Sequence, residues 1–180
     1  MKLEELLQEN REEILEGWRK VLLESYPSET TRFLSRENDQ FANPVGHFIK
    51  VGTESILDQL LGPMHQDSIC ETIDPIIRIR AVQDFDPGPA LQFVFALKHV
   101  VRDVTGSRLR EENLVWELSD LDARIDRVGL IAFETYTRCR DQLQEMKVES
   151  IKRRYAVLLK RMNMLDVDPD PQDTLQEGEA

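Results

Sequence analysis

Apolar residues recur every three or four positions along most of this chain, and no stretch of four or more residues alternates apolar and polar between turn signals. The pattern is helical throughout. Leu3, Leu6, Leu7, Ile14, Trp18 and Val21 share one face and predict a first helix from Lys2 to Glu24, with Pro27 just beyond its end. A short helix is expected over Ser28 to Ser35, anchored by Phe33 and Leu34, and the polar RENDQFAN segment reads as a loop. Asn43-Pro44 opens the next helix, because Asn caps first-turn N–H groups and Pro is preset for the first helical position. Its face carries Val45, Phe48, Ile49, Gly52, Ile56 and Leu60, and Gly62-Pro63 ends it. A mid-face glycine costs about 1 kcal/mol against alanine. Close approach of another helix is therefore expected at Gly52, with a ligand slot as the alternative.

A further helix is expected from Ser68 to Asp84, where Asp74-Pro75 repeats the cap-and-proline signal and offers a restart. Asp86-Pro87 starts another, ended by Gly106, with Ala90, Phe93, Val94, Leu97, Val100, Val101 and Val104 on its apolar face. From Arg108 to Met164 there is no proline and only Gly129. Leu114, Leu118, Leu121, Ile125, Val128, Ala132, Tyr136, Cys139, Leu143 and Met146 keep a helical stripe. Val148, Ile151, Tyr155, Leu158, Met162 and Leu165 then follow heptad spacing. Unbroken, this helix would reach roughly 85 Å, more than the domain can cover, so its end is expected to project. A break near Gly129 or at Arg138 to Arg140 is the alternative. These elements predict an all-α domain of about five to six helices over residues 1–146, a helical extension over 147–164 and a disordered acidic tail over 165–180.

Composition narrows the function. The 180 residues are 41% apolar, enough for one core, and the net charge of −11 comes from 23 Lys and Arg against 34 Asp and Glu. A broad nucleic-acid face needs clustered cations and is not expected; anionic membrane surfaces are disfavoured for the same reason. No apolar run of about 20 residues is present, so no membrane insertion is expected. The start, MKLEELLQENREE, has no signal-peptide core. Cys70 and Cys139 make neither a disulfide framework nor a zinc site. The chain therefore reads as soluble and cytoplasmic. The tail carries Asp166, Asp168, Asp170, Asp173, Glu177 and Glu179 without a cation, beside Pro169 and Pro171.

Candidate chemistry is sparse. His47 and His99 fall opposite the apolar faces of their helices and His65 lies in the MHQD loop, so haem ligation and other cofactors are not expected. No HExxH, CxxC, GxSxG, P-loop or GxGxxG motif is present, and the chain reads as a non-enzyme. Cys139 sits on an apolar stripe between Arg138 and Arg140, as a packed hydrophobe or, with its pKa lowered by those cations, a redox-sensitive thiol. The unusual segment is IIRIRAVQDF over 76–85. Arg80 falls inside the apolar face among Ile73, Ile76 and Ile77, and a charge there must be paired. Asp84, one turn on, is the local candidate, and Arg78 points to the other edge. Arg78, Arg80 and Asp84 are thus expected to form a structural ion pair, or an anion or partner site to which Lys98 and Arg102 contribute.

NPVGHFIKVGTESILDQLL and IDPIIRIRAVQDFDPGPALQFVFALKHVVRD resemble the N-terminal domain of the RsbR and RsbRD co-antagonists of bacterial stress signalling (stressosome proteins), a domain also found before sensor histidine kinases. The likeness covers about Leu6 to Thr105 and is strongest at Ile76 to Pro87. It implies a globin-like, haem-free, dimeric input module, joined in that family by a long helix to an output domain. Here only the acidic tail follows, which suits a stand-alone input protein or an excised domain. The expected function is regulation through protein–protein interaction and rearrangement of paired helices in a homodimer, with an unknown protein partner. Leu114, Leu118, Leu121, Ile125, Ile151, Tyr155, Leu158 and Met162 are the expected dimer seam. A small-molecule or anion sensor and a scaffold subunit are the alternatives.

Overall fold

The structure, a computed structural model, describes residues 2–36, 42–111 and 114–161. These form α1 (Leu3–Glu9), α2 (Arg11–Glu24), α3 (Ser28–Arg36), α4 (Pro44–Leu61), α5 (Gln66–Val82), α6 (Pro87–Glu111) and α7 (Val115–Arg161), with no strand among the described residues. The arrangement is the all-α, globin-like one expected.

Seven helices replace the predicted five to six because the first one divides. Asn10 leaves helical geometry (φ −106°, ψ 16°), and its side-chain amide donates back to the Leu6 carbonyl at 2.7 Å, ending α1 and starting α2. The Asn43 cap forms as expected. Its Oδ1 accepts from the Gly46 N–H at 2.8 Å, and its Nδ2 donates to the Leu34 carbonyl at 3.0 Å, tying α3 to α4. Pro75 does not restart α5. The carbonyl it leaves without a helical bond belongs to Glu71, which is exposed, so the loss is tolerated. Gly106 likewise does not end α6, and neither Gly129 nor Arg138 to Arg140 breaks α7.

The chain divides into two compact units, Met1–Arg140 and Asp141–Ala180. In the first, α2 packs on α6 and α4 packs on α5. Gly52 explains the second packing: a Cβ there would stand 2.8 Å from Ile76 Cδ1, so α4 and α5 approach too closely for any side chain. Phe95 of α6 lies over Gly129 of α7 in the same way, its ring 2.4 Å from where a Cβ would be. The core draws Leu6, Leu7, Ile14, Leu15, Trp18 and Leu22 from α1 and α2, Ile56 and Leu57 from α4, and Ile69, Ile73 and Ile77 from α5. Fully burying each such side chain contributes about 1.5–3 kcal/mol.

The predicted seam is corrected here. Leu114, Leu121 and Ile125 are buried in this same core and Leu118 is half-buried against it, so the first half of the stripe is occupied by its own chain. A helical wheel finds an apolar face but not the surface that covers it. In the second unit Ile151, Tyr155 and Leu158 are exposed; Met162 and the acidic tail lie outside the described residues.

Candidate functional site: a caged arginine at the turn from α5 to α6

Arg80 is the most unusual residue of the core. It sits in the last turn of α5 with 0% of its surface exposed, and no carboxylate among the described residues lies within ion-pair distance of it. Nη2 donates to Ser25 Oγ and to the Pro89 carbonyl, both at 2.8 Å, while Nε and Nη1 have no hydrogen-bond partner in the protein. Aromatic rings supply the remaining compensation. The guanidinium carbon stands 4.5 Å from the Phe85 ring centre, 5.2 Å from Tyr26 and 5.5 Å from Phe93. Each such contact is worth about 0.5–2 kcal/mol, more when desolvated. Burial still pulls the guanidinium below the usual arginine value, and pushes the Tyr26 hydroxyl up against the opposing pull of the nearby cation.

The expected Arg80–Asp84 pair does not form. The wheel puts the two residues one turn apart, but α5 ends at Val82 and the wheel ends with it. Asp84 takes a left-handed conformation (φ 62°) in which its N–H donates to the Ala81 carbonyl, and the Phe85 N–H donates to the Arg80 carbonyl at 3.2 Å. This is the Schellman closure, usually built on glycine. Asp84 faces solvent and accepts from Arg140 at 2.6 Å. Arg140 also donates to the Ala81 carbonyl at 3.1 Å, and the Tyr136 hydroxyl donates to the Phe85 carbonyl at 2.7 Å. α7 therefore grips the turn whose Phe85 ring lies against Arg80.

The other predicted cations are dispersed rather than convergent. Arg78 is exposed and pairs with Asp74 at 3.1 Å on its own helix. Lys98 pairs with Asp126 at 2.6 Å and Arg102 with Asp122, both linking α6 to α7. A shared anion site of Arg78, Arg80, Lys98 and Arg102 is thus replaced by three local ion pairs and one caged guanidinium. Cys139 is corrected as well: burial raises its thiol pKa, with Arg78 and Arg138 only partly offsetting it. The cage residues Tyr26 and Phe93 and the clamp residues Tyr136 and Arg140 were not predicted, because each reaches the turn from a different helix.

His65 and His99 are exposed and His47 is half-buried beside Phe48. No group of three His, Cys, Asp or Glu among the described residues could hold a metal ion, and no helix among them is long and apolar enough to cross a membrane.

Comparison with curated proteins and with solved structures gives no significant match. Residues 12–150 match the family model of the RsbT co-antagonist protein rsbRD N-terminal domain, a span that includes the caged arginine, the turn and its clamp. The chain belongs to that family of stressosome-related signalling domains.

Proposed function

We propose that the chain is a regulatory input module that works by protein–protein interaction and not by catalysis. The carrying observation is the grip of α7 on the caged turn: the Phe85 carbonyl, the Ala81 carbonyl and the Asp84 carboxylate all bind α7 side chains. A change in the packing around Arg80 moves Phe85, and Phe85 cannot move without altering its bond to Tyr136. The output is then a changed presentation of α7 to a second copy and to a protein partner.

Exposed apolar residues support the homodimer. Phe95, Leu130 and Phe133 lie on the first unit, and Ile151, Tyr155 and Leu158 on the second. Sedimentation equilibrium of the full chain at micromolar concentration is the test. A dimer is expected, weakened in Phe133→Glu and in an Ile151→Glu, Leu158→Glu variant. A monomeric parent, or variants that dimerise as well as it does, would defeat the dimer reading.

A further inference from the structure

The Arg80 cage has an opening. Ser25 is exposed to solvent, yet its hydroxyl oxygen accepts from the fully buried Arg80 at 2.8 Å. One small side chain therefore separates bulk water from a guanidinium with no carboxylate partner and two unpartnered nitrogens. The Tyr26, Phe85 and Phe93 rings surround the guanidinium, and its N–H groups are where an anion can approach.

We infer that Arg80 and Ser25 form a binding site for a small monovalent carboxylate, admitted past Ser25 to the free N–H groups of the guanidinium. Three features set the ligand class. The buried charge is +1, so a monoanion neutralises it, whereas a dianion would leave an unpaired negative charge away from water. Guanidinium donors match planar oxygen acceptors better than a spherical halide. The opening is the width of one serine, which favours one or two carbons. The neighbouring cations do not compete, since Arg78, Lys98, Arg102 and Arg140 each hold a carboxylate already. Occupation gives Nε or Nη1 a partner and changes the packing of the Phe85 ring that lies on the guanidinium. This identifies the signal for the input role proposed above and rests on that reading for its purpose, but not for its chemistry.

Formate and acetate are the probes. Thermal melts of the full chain at pH 7 are recorded against increasing sodium formate or acetate, with sodium sulfate and sodium chloride at matched ionic strength. The expected result is a saturating rise of about 4 °C at ten times the half-saturating concentration, absent with sulfate and abolished in Arg80→Met. Ser25→Phe, at an exposed position, blocks the opening without touching the core and should also lose the rise; it keeps the test decisive if Arg80→Met fails to fold. A rise equal in all four salts, or one retained in Arg80→Met or Ser25→Phe, overturns the site. Because dimerisation is read by sedimentation, a chain that binds formate yet stays monomeric would refute the dimer and leave the site standing.

Discussion

The Tyr136 hydroxyl donates a 2.7 Å hydrogen bond to the carbonyl of Phe85, and the ring of that same Phe85 stands 4.5 Å from the Arg80 guanidinium. One residue thus carries the contact between the buried charge and the last helix. Tyr136→Phe removes the donor and keeps the ring, so about 1 kcal/mol of stability should be lost. Urea unfolding measures it. A Tyr136→Phe, Arg140→Ala double variant should depart from additivity, because both side chains hold the same turn. Strict additivity would mean the turn does not act as one piece.

Arg80 should respond to shape more than to charge. Arg80→Ala opens a cavity and leaves Ser25 and Pro89 without their donor, and should cost about 3 kcal/mol. Arg80→Met fills much of the same volume and removes the desolvation cost of the cation, and should lie within about 1 kcal/mol of the parent. Arg78→Ala breaks an exposed pair and should cost under about 1 kcal/mol. Equal urea midpoints for Arg80→Ala and Arg78→Ala would contradict the burial of Arg80.

Tyr26 should shape the alkaline limb of stability. Its folded pKa is raised by burial, while the unfolded hydroxyl ionises near the ordinary value of about 10. The unfolded chain therefore loses this proton first. The contribution is fully present below that ordinary value and is lost as pH rises toward the folded value. Urea midpoints between pH 8 and 11 should fall more steeply in the parent than in Tyr26→Phe; parallel curves would show that Tyr26 ionises alike in both states.

The two thiols should separate kinetically. Cys139 is buried with a raised pKa, whereas Cys70 is half-buried. Thiolate is the reacting form. A disulfide reagent at pH 8 should modify Cys70 first, and Cys139 at least tenfold more slowly, with the difference erased in denaturant. Faster labelling of Cys139, read by mass spectrometry of peptides, would place that thiol at the surface.

Helix positions were readable because they depend on neighbours in sequence. Asn43-Pro44, Gly62 and the repeating apolar spacings are local signals, and the helices formed where they said. The apolar setting of Arg80 was readable for the same reason. Its company was not: Tyr26 comes from the segment between α2 and α3, Phe93 from α6, and the predicted partner Asp84 was lost when the helix ended two residues early. The stripe from Leu114 to Ile125 was seen correctly as apolar, but periodicity cannot tell a chain's own core from a partner's surface.

The pairing of α6 with α7 shows what sets its register. Lys98 meets Asp126 and Arg102 meets Asp122, four residues apart on each antiparallel helix. A slide of one turn would still bring one cation opposite one carboxylate, so these charges alone are a poor ruler. Phe95 is not so forgiving. It rests over Gly129, and a one-turn slide would set its ring against Ile125 or Phe133, where a side chain already stands. The alignment of the two longest helices is therefore fixed less by attraction than by a notch one missing methyl deep, which admits a phenyl ring at one position along α7 and refuses it a turn away in either direction.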